Sequence, residues 1–254
     1  MALLGLAALL PLNSRAQERV PGRLYAVSVE GDFRRTEDGR FVPVALGESF
    51  AASRTTLELA AKSRASLIFS NNTGVFFSPG TRLVVDRFEH APFIADPNRM
   101  DDEPAASSFT GRLLAGTIAF CFPKQVFGST VLLQIPQATL NLHGSRIAVE
   151  VTDARAVAYV LDGTVTILRG SEDKSGQVAG SGQMVTITPG AGPQYPLVEA
   201  EPLPDAKGAA LNEMMASACL SRHTVFFARP EDPRRVVTPP PAEPNPTVSL
   251  DRLP

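Results

Sequence analysis

Tryptophan is absent from the 254 residues, and there are only two cysteines and three histidines. So few soft ligands exclude a zinc ribbon, an iron–sulfur centre and a disulfide-dense mini-domain. An excess of charge of either sign is missing too, since 24 Lys plus Arg stand against 26 Asp plus Glu for a net −2. A protein gripping nucleic acid through its phosphates needs a strongly basic surface, so that class is excluded. No apolar run approaches the roughly 20 residues that cross a bilayer, so no membrane span is expected in the mature chain. What is present is a 44% share of hydrophobic residues, enough to bury a core and to exclude global disorder.

The run Met1–Leu12 (MALLGLAALLPL) has the length of a signal-peptide core, although no Lys or Arg precedes it. Small residues Ser14 and Ala16 fit a cleavage after Ala16, so residues 1–16 are expected to be a signal peptide and the protein periplasmic or secreted. In that compartment Cys121 and Cys219 can form a disulfide tying a C-terminal helix to the β-core. Two separate buried thiols are equally compatible with the sequence.

From about Leu24 to Pro189 the apolar residues recur with a period of two. Ile147, Val149 and Val151 share one face, as do Val157, Tyr159 and Leu161. Thr164 and Thr166 alternate with Val165 and Ile167, and Thr186 and Thr188 with Val185 and Ile187. Segments such as Asp38-Gly39, Asn71-Asn72-Thr73-Gly74, Ser78-Pro79-Gly80 and Leu161-Asp162-Gly163 read as turns between strands, because Gly, Asn and Asp accept left-handed backbone. Many short strands predict an all-β domain over residues 22–190, a sandwich, a barrel or a stacked solenoid. The stretch 90–108, with three prolines and the acidic run Asp101-Asp102-Glu103, reads as an exposed loop between two lobes. Its acids could hold Ca²⁺ weakly, but a solvated loop is the plainer reading.

Beyond Pro189 the strands are expected to stop. Leu211, Met214, Met215, Ala218 and Cys219 form the stripe of one amphipathic helix docked on the β-domain, within an appendage over residues 191–229. Residues 230–254, with Pro239-Pro240-Pro241, read as a disordered, proline-rich tail.

Chemistry-bearing patterns are scarce. There is no GxSxG, HExxH or GxGxxG, and His90, His143 and His223 are far apart in sequence. Asp86, Glu89, Glu150, Asp153 and Asp162 are candidates for a carboxylate pair by residue type alone. No catalytic residue, cofactor or metal is therefore assigned. The outward threonines Thr164, Thr166, Thr186 and Thr188 form a candidate interaction surface of neutral hydrogen-bonding groups, or simply keep a sheet face wetted.

The order of pieces resembles the FecR-type extracytoplasmic domain. Val27 to Gly31, Asp38-Gly39 and Leu46-Gly47-Glu48 are followed by Thr55-Thr56-Leu57 and by the run Ser63 to Asn71. Then come Ser78-Pro79-Gly80-Thr81 with Arg82 to Val85, Gly111 to Thr117, Leu142 to Val149, Leu161 to Ile167 and Gly182-Gln183-Met184-Val185. His143 and Ser145 stand where the family carries Arg and Thr. The resemblance implies an extracytoplasmic β-sandwich or solenoid-like module. In complete regulators the module follows a cytoplasmic anti-sigma segment and a membrane helix, and it relays occupancy of a TonB-dependent iron transporter to a sigma factor. Neither segment falls within these residues, so the resemblance implies the module and not the whole relay.

The expected function is thus a non-catalytic binding, sensing or signal-relay module at the bacterial envelope, whose partner is an envelope protein or a glycan and not nucleic acid. Two alternatives make distinct forecasts. An envelope structural protein would assemble through strand edges. A polysaccharide-active enzyme would gather acids or a histidine in a deep cleft.

Overall fold

The computed structural model describes residues 18–170, 173–190 and 196–236; the run 1–16 and most of the proline-rich tail lie outside them. In chain order the strands are β1 (Val20–Pro21), β2 (Arg23–Glu30), β3 (Phe33–Glu37), β4 (Arg40–Pro43), β5 (Ser49–Ala51) and β6 (Thr55–Leu59). Next come β7 (Arg64–Phe69), β8 (Gly74–Phe77), β9 (Arg82–His90), β10 (Ser107–Cys121), β11 (Thr130–Gln134) and β12 (Thr139–Val151). The chain continues with β13 (Ala156–Leu168), β14 (Gln177–Gly180), β15 (Gln183–Thr188), β16 (Leu197–Pro202), α1 (Asp205–Thr224), β17 (Val225–Arg229) and β18 (Asp232–Arg235).

Strand pairing resolves into two layers. The first runs β5-β2-β7-β8, then the second halves of β10 and β12, the first half of β13, and β15-β16. The second runs β4-β3-β6-β9, then the first half of β10, β11, the first half of β12, the second half of β13, and β14. Three long strands therefore cross from one layer to the other, and one apolar cluster fills the space between the layers.

Crossing works because side-chain parity inverts at the corner. In β12 the core residues are Leu140 and Leu142 before the bend, then Ile147, Val149 and Val151 after it. In β13 they are Ala156, Ala158 and Val160, then Val165 and Ile167. A one-residue slip normally turns a strand inside out; here the slip coincides with the bend, so the apolar side keeps facing inward. Gly144 and Gly163 face each other at this corner, with φ of +135° and +122°. A Cβ on Gly144 would lie 2.3 Å from Gly163 Cα, so neither position accepts a side chain.

Several sequence expectations change here. Leu161-Asp162-Gly163 is a corner inside one continuous strand and not a turn between two. Val157 and Tyr159 point away from the central core into a second cluster beneath α1, while Ala156, Ala158 and Val160 face inward. Both faces of that strand are buried, and simple alternation cannot tell which face meets which neighbour. The stretch read as a divider between lobes joins β9 to β10, which pair along their length from His90↔Ser107 onward. Strands also continue beyond Pro189: β16 extends the first layer, and β17 and β18 form a hairpin reaching into the expected tail.

The helix forms as its stripe requires. Leu211, Met215 and Ala218 are buried against Ala119, Cys121, Ala148, Val157 and Tyr159, with Met214 and Cys219 alongside. Asp205 in its first turn and Arg222 and His223 in its last suit the helix dipole. Gly74 permits the close approach, since a Cβ there would lie 2.0 Å from the Ala218 carbonyl oxygen. Cys121 and Cys219 are joined as a disulfide, with Cα atoms 5.1 Å apart, tying the helix to β10. The β17–β18 hairpin covers the outer face of β2 and β7, where Val225 and Phe227 pack on Ile68, Tyr25 and Val27.

Candidate functional site

Loops at one end of a β-sandwich are held by a rigid scaffold and are free to recognise partners. Here residues 91–106 and 122–129 meet at one end, and a single carboxylate joins them. Glu103 is 4% exposed. Its Oε1 accepts from Ser107 Oγ at 2.5 Å and Asn71 Nδ2 at 3.2 Å, and its Oε2 accepts from Ser129 Oγ at 2.6 Å and the Val126 amide at 2.9 Å. An ionised carboxylate only accepts, so four donors offset the cost of burying it. Backbone bonds run alongside: the Glu103 amide donates to the Lys124 carbonyl at 3.0 Å, and the Lys124 amide to the Asp101 carbonyl at 2.7 Å.

The acidic run is therefore not one solvated cluster. Glu103 turns inward, Asp102 pairs with Arg99 at 2.7 Å, and Asp101 stays exposed. Its four donors are scattered over residues 71–129, so no local motif announces them.

What this framework presents is apolar. Phe127 is wholly exposed, Ile94 is 80% exposed, and Val126 lies partly exposed. Ile94 and Val126 line one depression of about 320 Å³, with Asn72, Asp96, Arg99 and Asp102 around them. Sequence reasoning missed Phe127 because an isolated phenylalanine carries no sign of which way it points. The nearby Gly128, in a loop rather than an alternating strand, was the available signal.

Two buried polar groups brace the same end. Arg222, in the last turn of α1, donates from Nε to the Asn72 carbonyl and from Nη2 to the Met100 carbonyl, both at 3.0 Å. Burial pulls its pKa below the usual value, opposed by Asp101 at 3.5 Å. His90 is fully buried, with Nδ1 3.1 Å from the Ala91 carbonyl and Nε2 2.9 Å from Ser70 Oγ. That pattern fits a neutral ring whose Nδ1–H donates to the carbonyl. Desolvation by burial pushes its pKa below 6.5.

A second depression, about 580 Å³, lies at the strand corner and is lined by Asp101, Lys124, Gln125, His143, Ser145, Asp162 and Arg222 among others. The Ser145 hydroxyl donates to the Asp162 carboxylate. A serine nucleophile needs its proton directed at a base such as histidine, and here it is committed to the acid. His143 and Asp162 are exposed, so this is an open polar surface and not the deep cleft that the enzyme alternative forecast.

The other candidate carboxylates are apart, and three of them have partners. Asp86 pairs with Arg112 at 2.8 Å, Glu89 lies 3.7 Å from Arg87, and Glu150 accepts from the Tyr159 hydroxyl at 2.8 Å. Burial first, then Glu150, pushes the Tyr159 pKa up. Asp153 is exposed in the turn from β12 to β13, and His223 is exposed near the end of α1. Thr164 and Thr166 sit on the outer face of the second layer, while Thr186 and Thr188 lie between β13 and β16 in the first. The corner at Gly163 divides them, so they do not form one ridge. Among the described residues, no group of three or more His, Cys, Asp or Glu could hold a metal ion, and no helix is long and apolar enough to cross a membrane.

No protein-family model matches this sequence, and no curated protein matches it. Solved structures do: two crystal structures of "a putative anti-sigma factor from Parabacteroides distasonis" align at 13% identity and a TM-score of 0.43. Each alignment covers 61% of this chain and 62% or 63% of the other. The chain thus spans less than two-thirds of the protein it is similar to.

Proposed function

We propose that this chain is a non-catalytic, FecR-like module of the bacterial envelope that senses or relays a signal by docking a protein partner at its loop end. The observation that carries the reading is Phe127, wholly exposed on a loop whose underside is anchored by buried Glu103. An aromatic anchor ringed by polar groups is the usual centre of a protein interface, and a preformed loop limits the ordering cost of binding. Lys124, Arg99, Asp96 and Asp101 would supply the polar rim. A disulfide fits an oxidising, extracytoplasmic compartment. The four threonines serve in this reading as wetted sheet surface outside the contact.

The test places a photo-crosslinking phenylalanine analogue at position 127 and, as a control, at Val178, which is 62% exposed on the distant edge strand β14. In envelope extract one discrete crosslinked protein is expected from position 127 alone, and Phe127→Ser should abolish its capture by the full chain. Equal crosslinking from both positions, or undiminished capture by Phe127→Ser, would remove the reading. A glycan partner is the second reading, favoured by the convergent Lys124, Gln125, His143 and Asp162 at the corner. It requires that Asp162→Asn, not Phe127→Ser, abolish binding to isolated envelope polysaccharide.

A further inference from the structure

The two sulfurs of the disulfide have unequal surroundings. Cys121 is 3% exposed on β10, whereas Cys219 on α1 is partly exposed. Arg222 Nη1 lies 3.8 Å from Cys121 Sγ. That buried guanidinium is served by two carbonyls and by Asp101, whose own side chain is 86% exposed and 3.5 Å away. A buried cation so weakly compensated gains from any anion formed beside it.

We propose that the Cys121–Cys219 disulfide is a thiol-exchange site, at which an external dithiol attacks Cys219 Sγ and Cys121 departs as a thiolate held by Arg222. Of the two half-cystines Cys219 is the one that reaches the surface, so its sulfur is the one attacked, and the better-stabilised thiolate is the one that leaves. In the first step the incoming thiolate bonds to Cys219 Sγ, the protein S–S bond breaks, and its electron pair passes to Cys121. In the second step the other thiol of the reagent, as thiolate, attacks the reagent sulfur of the mixed disulfide. Cys219 leaves and takes up a proton. The protein gains two electrons and one proton, the second proton goes to solvent, and the dithiol becomes a disulfide. The Cys121 thiolate then pairs with Arg222 on the same helix as Cys219, so the sulfurs stay adjacent and reoxidation is direct.

The other charged groups facing this region are Arg146, the cross-strand partner of Cys121 on β12, and Asp101, Lys124, His143 and Asp162, which line the depression that Arg222 also lines. Arg222 is the one with a guanidinium nitrogen within 4 Å of the sulfur.

The first experiment treats the full oxidised chain with glutathione, quenches in acid, and maps the adduct by peptide mass spectrometry. Adduct on Cys219 should exceed that on Cys121 by about tenfold. Equal labelling, preferential labelling of Cys121, or no adduct at all overturns the proposal. The second measures the ultraviolet titration of the thiolate in Cys219→Ser, where Cys121 is the single thiol. Its midpoint should fall below the ordinary value of about 8.5, return there in Cys219→Ser/Arg222→Gln, and stay low in Cys219→Ser/Arg222→Lys. An undisplaced midpoint with Arg222 present overturns the role of Arg222. The adduct experiment uses the native chain and decides the matter even where a variant does not fold.

Discussion

The two layers of the sandwich share three strands and one core, yet their outer faces are opposites. In the first layer β10, β12 and β13 turn Ala119, Ala148, Val157 and Tyr159 outward, and α1 covers them. Past their corners the same strands turn out Thr110, Arg112, Asn141, His143, Thr164 and Thr166, which face water. Ion pairs Asp86–Arg112 and Glu58–Arg82 lie on this second face. The strand itself does not decide whether its outer face needs a cover. The residues it turns outward decide, and a single polypeptide changes that choice midway by bending at a glycine.

The corner is where this contrast breaks most easily. Gly144→Val puts a side chain into Gly163 at a backbone angle valine does not adopt. It should cost at least about 4 kcal/mol in urea unfolding, or prevent folding. A wild-type midpoint would show that the layers do not depend on the corner.

Removing the tie between α1 and β10 strikes the covered layer alone. The disulfide closes a span of 98 residues, so Cys219→Ser should cost about 2–5 kcal/mol. Hydrogen exchange should rise across α1 and the outer strands beneath it while β6 and β9 keep their protection. Uniform deprotection would mean the two faces are not separately supported.

Glu103→Ala removes the acceptor of Ser107, Ser129 and the Val126 amide, leaving Asn71 Nδ2 with Ser107 Oγ, and should cost about 2–3 kcal/mol. It should also disorder the loop carrying Phe127, seen as lost crosslinking from that position.

His90 gives a pH signature. Its folded pKa lies below 6.5 through desolvation, so the unfolded chain binds the proton first. Stability should fall as pH drops below 6.5, levelling once the folded pKa is passed, and His90→Gln should flatten that slope. An unchanged slope would assign the acid sensitivity to other groups.

The smallest effect belongs to the bare face. Thr164→Ala and Thr166→Ala should each change stability by no more than about 0.5 kcal/mol. A larger loss would mean that the second face has a cover of its own.

Much of the fold was readable along the chain. Alternation located the second half of β12, the two halves of β13 as separate strands, and β15, and the Leu211-to-Cys219 stripe located α1, because periodicity follows directly from backbone geometry. Corners were not readable: Asp162-Gly163 suits a tight turn and a bend equally well, and only pairing with Gly144 distinguishes them. The loop end was hidden for a related reason. Glu103 looked solvated among its acidic neighbours, and its four donors arrive from distant strands. Arg222 carried no sequence signal at all, because only packing turns it inward beside Cys121.

The order of residues alone determined that this polypeptide would pleat, where one helix would form, and which side chains could be buried. Local sterics and the repeat of each backbone conformation require nothing more. Tertiary structure decided which face of each strand meets the core, which carboxylate is buried, which phenylalanine is left in water and which charge sits against the disulfide. Those outcomes depend on contacts between residues far apart in the chain, and no local pattern encodes a distant neighbour.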